Sequence, residues 1–223
     1  MARVRDPAGY DGQREMILSH AAQLFAQRGY AGTSMNEVAA ACGVSKATLY
    51  HYVIDKHDLA VRIAEEHVLR LEALVNDTLQ AHADPEQRLH ALIRGFGQEY
   101  AQAQNAHRVL TEDVRFLREE DQQRILDVER RVVAAFAQTI AQVRGEPADS
   151  ALGKPLAMLL FGMINWTFTW LKPGGTLDHD AIGTMVSQLL RRRARGQRAG
   201  RQEAAQGPPG LGSARSLTSC AAR

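Results

Sequence analysis

Apolar residues recur at spacings of three and four along most of the chain, which is the period of an amphipathic helix. One such apolar face is formed by Ile17, Ala21, Leu24 and Phe25. Gly29 predicts where that helix ends, because glycine is favoured just past a helix terminus. No stretch of useful length alternates between apolar and polar residues, as a half-buried strand would. The pattern predicts an all-α protein of about nine helices.

The same period continues through the middle and the end of the chain. Asp84 followed by Pro85 predicts a helix start, since aspartate is a good cap and proline suits the first helical position. Further helices are predicted at about residues 55–79, 107–117, 121–144, 150–171 and 178–194. The first of these would connect an N-terminal group of short helices to a larger helical domain.

Between residues 33 and 52 the sequence predicts two short helices joined by a tight turn. Ser34 and Glu37 fit the capping box that starts a helix, and Gly43 supplies the backbone freedom that a sharp turn needs. A small residue lies four positions before Gly43, and Leu49 turns inward six positions after it. This spacing is typical of the helix-turn-helix, which places its second helix in the DNA major groove. An ordinary helical hairpin is the alternative that the spacing alone leaves open.

The residues around this hairpin resemble the TetR family of one-component transcriptional regulators. Residues 17–34 resemble the family's first helix and its exit, and residues 43–52 are close to the family signature. Lys56 stands where the family has a lysine at the start of a long fourth helix, whereas Val53 stands where phenylalanine is usual. We expect a smaller buried side chain at that position and no loss of function. The resemblance covers roughly residues 14–60 and implies a three-helix DNA-binding head.

The resemblance also implies which side chains of the head face DNA. Contacts are expected from Thr33, Ser34, Ser45, Lys46, Ala47, Thr48, Tyr50, His51, Tyr52 and Lys56. Lys46 could donate to guanine, and Ala47 or the methyl group of Thr48 could touch a thymine methyl. The others would mainly bind phosphates, although Tyr52 is equally compatible with a place in the core.

Residues 156–171 are apolar on nearly every side. The stretch is too short to span a membrane and is interrupted by Asn165 and two threonines. A helix that is apolar all round must be covered all round, so one face is expected to meet a second chain. The resemblance implies the same, because family members dimerise through their last two helices.

We therefore expect a homodimer through residues 150–194, without membrane association. The interface is expected to be completed by Met185, Val186, Leu189 and Leu190. A two-fold dimer would present two recognition helices to a palindromic operator in double-stranded DNA.

The family resemblance implies that a small effector binds the second domain and releases DNA. Residues 161–170, followed by Pro173, Gly174 and Gly175, resemble the members that respond to fatty acids and acyl-CoA. An apolar lining rich in methionine and aromatic residues suits an acyl chain or an aromatic acid. The candidate pocket residues are Phe96, Tyr100, Leu110, Val114, Arg115, Leu117, Arg118, Phe161, Asn165 and Trp166. Either Arg115 or Arg118 could meet a carboxylate or phosphate. Taken singly, each of the ten is better explained as plain core or solvated surface, so the pocket is predicted from the set as a whole.

Length and composition suit one or two globular domains, with 223 residues of which 45% are hydrophobic. We expect a flexible arm over residues 1–12, the helix-turn-helix head over 13–54, the effector-binding and dimerisation domain over 55–195, and a disordered basic tail over 196–223. The polar N-terminus lacks a secretory signal, and two cysteines do not suggest a disulfide framework. A cytoplasmic location is the simplest expectation.

Charge adds no support for DNA binding. The formal net charge is +2, but residues 192–223 alone carry +6, which leaves −4 for the rest of the chain. Residues 1–60 are neutral, with six basic and six acidic side chains. The expectation of DNA binding therefore depends on where individual side chains lie, rather than on bulk charge.

No catalytic, metal or cofactor motif stands out in the sequence. It contains no H-E-x-x-H, no phosphate-binding loop and no G-x-G-x-x-G. Residues 43–47 superficially resemble a nucleophile elbow, but no strand precedes them as that motif requires. We expect no catalytic residue, no metal and no cofactor. The main alternative is a helical lipid- or acyl-binding protein without a DNA role, which would leave the spacing of the head unexplained.

Overall fold

The computed structural model describes residues 7–167, 171, 177–178 and 180–190. Its helices are α1 (Pro7–Arg28), α2 (Met35–Ala41), α3 (Lys46–Leu49), α4 (Lys56–Ala81), α5 (Pro85–Gln102), α6 (Gln104–Arg108), α7 (Glu119–Arg144), α8 (Gly153–Thr167) and α9 (residues 180–190). A π-helical turn (Val109–Asp113) and a 3₁₀ turn (Val114–Phe116) connect α6 to α7. No strand occurs within these ranges, so the predicted all-α class is confirmed. None of the helices described is long and apolar enough to cross a membrane.

The head is built from α1, α2 and α3 around a small apolar core. Ile17, Phe25, Val38 and Leu49 are its fully buried members. The capping box is present: the Ser34 hydroxyl accepts from the backbone N–H of Glu37, whose carboxylate accepts from the backbone N–H of Ser34. Gly43 has a φ of 64°, in the left-handed region that glycine adopts without steric cost. These local predictions for the head are confirmed.

The first helix begins earlier than the sequence predicted. It starts at Pro7, so residues 7–12, which were expected to belong to a flexible arm, are helical. The ring of Tyr10 stacks on that of Tyr52 with centroids 4.7 Å apart, and its hydroxyl donates to the carbonyl of His51 at 3.3 Å. In sequence, Tyr10 is 41 positions from His51 and 42 positions from Tyr52. Helical periodicity alone could therefore not reveal these two contacts. Residues 1–6 of the expected arm lie outside the described residues.

The larger domain packs around aromatic rings contributed by α5, α7 and α8. Phe96 meets Phe136 edge to face with centroids 4.8 Å apart, and Phe136 meets Phe161 at 4.7 Å. The long helix α4 contacts α1 of the head as well as α5 and α7 of the larger domain. A displacement of α4 within the larger domain would therefore move the head.

The last two predicted helices are described only in part. Helix α8 starts at Gly153 rather than near Ser150, because the backbone N–H of Gly153 donates to the carbonyl of Ser150 in a turn. Residues 168–170 and 191–194 near the predicted ends of the two helices, the segment from Pro173 to Gly175 and the predicted tail over residues 196–223 lie outside the described residues.

Candidate DNA-reading helix and effector cavity

Helix α3, the second helix of the hairpin, and the turn after it expose most of their side chains to solvent and bury one. Leu49 is fully buried, whereas Lys46, Ala47 and His51 are exposed and Tyr50 is 45% exposed. Helix α3 has only four residues, and residues 50–52 continue as a turn. The exposed side chains of residues 46–51 therefore lie partly on the helix and partly on the turn, and they face outward as a groove-reading surface must.

Ser45 shapes the start of α3. Its hydroxyl accepts from the backbone N–H of Thr48 at 3.0 Å and lies 2.7 Å from the hydroxyl of Thr48. The two hydroxyls therefore bond to each other at the exposed end of the helix. This arrangement leaves the methyl group of Thr48 as its contribution to any base contact.

Thr33 does not belong to the DNA-facing set, which corrects the sequence prediction. Its side chain is only 2% exposed. Its hydroxyl donates inside the head, to the carbonyl of Gly29 at 3.1 Å and that of Leu24 at 3.4 Å. Because both the burial and the hydrogen bonds fix this side chain inside the fold, it cannot reach a phosphate. Its neighbour Ser34 remains exposed as the cap of α2.

Lys56 has a structural role that the sequence did not reveal, and Tyr52 takes, at least in part, the core role that the sequence left open. The ammonium group of Lys56 donates to the carbonyls of Tyr30 and Thr33 at 2.9 and 3.0 Å, and lies 4.4 Å from the centre of the Tyr30 ring. Lys56 therefore fastens the start of α4 to the segment between α1 and α2. Tyr52 is half-buried against Tyr10, so its ring serves the core of the head at least in part.

A second candidate site is a cavity of about 170 Å³ inside the larger domain. It is lined by Val68, Leu71, Phe96, Tyr100, His107, Leu110, Thr111, Glu129, Val132, Val133, Met158, Phe161 and Asn165. Five of the ten predicted pocket residues are among them: Phe96, Tyr100, Leu110, Phe161 and Asn165. The sequence missed the remaining residues, including the two ionisable ones, because they come from four different helices and share no local pattern.

The other five predicted pocket residues do not line this cavity, so their role in effector binding stays a prediction. Val114 and Leu117 are buried elsewhere in the core, and Arg115 and Arg118 are exposed. In a regular helix both arginines would share a face with Thr111. The π-helical turn and the 3₁₀ turn break that phase, because their repeats differ from 3.6 residues. Trp166 is 67% exposed, since it lies about 100° around α8 from Asn165.

Two buried histidines meet at the edge of the cavity. Nε2 of His67, on α4, lies 3.2 Å from Nδ1 of His107, on α6, and the ring of Tyr100 stacks on that of His107 at 3.8 Å. Burial lowers the pKa of His67 to about 3 and that of His107 to about 4. Burial also raises the pKa of the Glu129 carboxyl, which lines the same cavity. These shifts favour the uncharged form of each group.

The π-helical turn joins the cavity to the head. Leu110 and Thr111 line the cavity, while Asp113 of the same turn accepts from the backbone N–H of Tyr30 at 3.3 Å. Phe116 in the following turn stacks on the Tyr30 ring with centroids 6.0 Å apart. A displacement of the cavity wall can therefore be transmitted to the segment between α1 and α2, whose carbonyls bond to Lys56 at the start of α4.

An exposed apolar stripe begins at Leu152, just before α8, and continues along that helix. Leu152, Leu159, Met163 and Trp166 recur at spacings of seven, four and three, and all four are exposed. Met185 and Leu189 of α9 are also exposed. Val186 and Leu190, which the sequence placed at an interface between chains, are instead buried in this chain's own core. The predicted interface surface is therefore reduced to the exposed residues of both helices.

Comparisons with known proteins match both parts of the chain. Residues 17–63 match the family model for bacterial regulatory proteins of the tetR family. Residues 82–194 match the model described as the tetracyclin repressor-like C-terminal domain. Among the part of the chain that the structure describes, no group of three or more His, Cys, Asp or Glu side chains is placed to hold a metal ion.

Two solved structures and one curated regulator illustrate the similarity. A TetR-family transcriptional regulator from Bordetella parapertussis is 31% identical, with a TM-score of 0.75, covering 79% of this chain and 93% of that one. The structure of AibR in complex with isovaleryl coenzyme A and operator DNA is 30% identical, with a TM-score of 0.69, covering 80% of this chain and 98% of that one. The transcriptional activator FasR from Mycolicibacterium smegmatis is 35% identical over 86 residues, which is 39% of either chain. This chain thus matches less than half of the length of FasR.

Proposed function

This chain belongs to the TetR family of transcriptional regulators, and we propose that it is a dimeric repressor that releases a palindromic operator when it binds a small hydrophobic effector. The observation that carries this proposal is the outward face of α3, where Lys46, Ala47 and Tyr50 are exposed above the buried Leu49. A cytoplasmic location follows from this proposal, because an operator lies on cytoplasmic DNA.

Base edges are read by the exposed residues of α3 in this proposal. Lys46 donates to guanine, and the methyl groups of Ala47 and Thr48 contact thymine methyls. Ser34, Ser45 and His51 bind phosphates and so set the register of the head on the duplex, and Tyr50 contributes to either role. Lys56 acts by holding the start of α4 in place, because its ammonium group already bonds to two carbonyls.

Dimerisation places two copies of α3 on one face of the DNA. The apolar stripe on α8, together with Met185 and Leu189, forms the surface that a second copy covers. A two-fold interface uses the same patch on both subunits, so a single apolar stripe is sufficient. The operator is therefore an inverted repeat whose half-sites lie about one helical turn apart, or a multiple of that spacing.

The effector binds the cavity beside His107 and Asn165. AibR, which is similar along most of its length, has been crystallised with isovaleryl coenzyme A and operator DNA, and this supports an acyl-CoA or an aromatic or fatty acid as effector class. The cavity adjoins α4 through Val68 and Leu71, and α4 leads to the head. Effector binding would shift α4 and change the spacing of the two heads.

Selection of bound fragments from a random DNA pool tests the proposal, first without effector and then with short acyl-CoA thioesters. We expect enrichment of an inverted repeat and its loss when an effector is added. Enrichment of no sequence at all would contradict the regulatory function and favour a helical acyl-binding protein. Enrichment that every acyl-CoA leaves unchanged would contradict only the effector class.

A further inference from the structure

The turn that follows α3 is fixed from the inside by the core of the head. Leu49, just before the turn, is fully buried, and Val53, just after it, is only 2% exposed. Between these two anchors, residues 50–52 carry the exposed side chains of Tyr50 and His51. The inner side of the turn is therefore held by packing, while the side that faces solvent needs another support.

Tyr10, near the start of α1, holds the outer side of this turn. Its ring stacks on the ring of Tyr52, with centroids 4.7 Å apart and planes inclined by 28°. Its hydroxyl donates to the backbone carbonyl of His51 at 3.3 Å. In the described part of the chain, no other side chain hydrogen-bonds to the backbone of residues 50–52. The N-terminal end of α1 thus supports the turn from outside the hairpin.

The stacked rings contribute more to this support than the hydrogen bond does. A bond from a hydroxyl to an oxygen is shortest and strongest near about 2.7–2.8 Å, so the bond from Tyr10 at 3.3 Å is a weak one. Aromatic pairs at this separation favour the packed arrangement by a factor of about two to ten beyond the area that they bury. Loss of the Tyr10 ring should therefore matter more than loss of its hydroxyl.

We propose that Tyr10 is a positioning residue for DNA reading, which holds residues 50–52 in the arrangement that presents Tyr50 and His51 to the duplex. The inference rests on the proposed reading of DNA by α3 and the turn after it, and it adds a residue from outside the helix-turn-helix. A turn that is held before DNA arrives loses little conformational freedom on binding. Without the ring, only a fraction of the molecules is ready to bind, and the apparent affinity falls by that fraction.

Fluorescence anisotropy tests this assignment on the full chain, with the selected operator and a scrambled duplex of the same length. Tyr10→Ala removes the ring, so operator affinity should fall at least about threefold. Its affinity for the scrambled duplex should change by less than about twofold, because nonspecific binding comes from contacts between cations and phosphates. Tyr10→Phe keeps the ring and loses only a weak hydrogen bond, so it should stay within about twofold of the unmodified chain for both duplexes.

Hydrogen–deuterium exchange of the free chain tests the same contact without DNA. The backbone N–H groups of Tyr52 and Val53 both donate to the carbonyl of Leu49, at 3.0 and 3.2 Å. Both bonds break when the turn opens locally, so these amides report how firmly the turn is held. They should exchange at least about threefold faster in Tyr10→Ala than in the unmodified chain, and at nearly the unmodified rate in Tyr10→Phe.

Val143→Ala separates positioning from a general loss of stability. Val143 is 8% exposed on α7, outside both the head and the lining of the effector cavity. Its truncation removes buried methyl groups and lowers the free energy of unfolding, but it leaves the contacts of Tyr10 in place. Val143→Ala should therefore keep the operator affinity and the preference over the scrambled duplex that the unmodified chain shows.

The outcomes separate this inference from the proposed function. Equal preference for the operator in Tyr10→Ala and the unmodified chain overturns the inference, and so does equal exchange of the two turn amides. A loss in Tyr10→Phe as large as that in Tyr10→Ala, or an equal loss in Val143→Ala, also overturns it, since the stacked ring would then not be the cause. Selection of no operator at all would instead contradict the proposed function, and the exchange rates would still show whether Tyr10 holds the turn.

Discussion

The backbone N–H of Tyr30 donates to Oδ1 of Asp113 at 3.3 Å and joins the helix-turn-helix head to the wall of the candidate effector cavity. Asp113 is only 6% exposed, and burial raises the pKa of its carboxyl. The two residues lie 83 positions apart in sequence, yet the π-helical turn that holds Asp113 also supplies Leu110 and Thr111 to the cavity. This bond provides a short physical connection between the two candidate sites.

Removal of the Asp113 carboxylate should loosen the segment between α1 and α2. In Asp113→Ala the amide of Tyr30 loses its acceptor, so its hydrogen–deuterium exchange should speed up about tenfold. Glu112→Ala is the matched control, because the Glu112 carboxylate pairs with the exposed Arg108 at 3.2 Å instead. If the Tyr30 amide exchanges at the same rate in both variants, the connection is not energetically significant.

Acid should destabilise the fold through the buried histidine pair. The pKa values of His67 and His107, about 3 and about 4, lie below the unfolded value of about 6.5. The unfolded chain therefore binds more protons below pH 6.5, and the stability that this pair contributes is lost as the pH falls from 6.5 towards 4. Between pH 7 and pH 5 we expect a loss on the order of 2–4 kcal/mol in the free energy of urea unfolding.

The double variant His67→Gln/His107→Gln isolates this pH effect. It should show a much smaller decrease in unfolding free energy over the same interval, whereas His82→Gln should behave as the unmodified chain. A decrease of the same size in all three proteins would show that other groups cause the acid sensitivity.

A charge in the apolar stripe of α8 should separate the proposed dimer. Leu159 is 62% exposed in the single chain, and two-fold symmetry places every substitution in the interface twice. Leu159→Glu should therefore sediment as a monomer at micromolar concentration and lose operator affinity. Leu69→Glu changes a leucine that is 50% exposed on α4, outside the stripe, and should remain dimeric. A monomeric unmodified protein would contradict the proposed assembly.

The head could be predicted from the sequence because its determinants are local. Ser34 and Glu37 are three residues apart and cap one helix, and Gly43 adopts its left-handed conformation within one turn. Thr33 shows the limit of this reasoning. Its position in the motif suggested a phosphate contact, but its hydroxyl donates to two backbone carbonyls within the head. A sequence pattern does not reveal which of two available partners a short polar side chain takes.

The cavity could be predicted only in part because its polar groups are assembled by tertiary packing. His67 and His107 are 40 residues apart, and nothing in either segment marks them as partners. Arg115 and Arg118 follow the π-helical turn, which interrupts the regular helical period. An ordinary helical pattern does not predict such a turn. The apolar lining was easier to recognise, since the rings of Phe96 and Phe161 follow the period of their own helices.

The affinity of the selected operator for Lys46→Ala/Tyr50→Ala, measured beside the unmodified chain, tests most directly whether α3 reads DNA. Gln27→Ala, on the exposed end of α1, is the control. Each lost base contact is worth about 1–3 kcal/mol, so we expect at least about a tenfold loss of affinity for the double variant and none for the control. Equal affinity of the double variant and the unmodified chain would contradict the assignment of α3 as the reading helix.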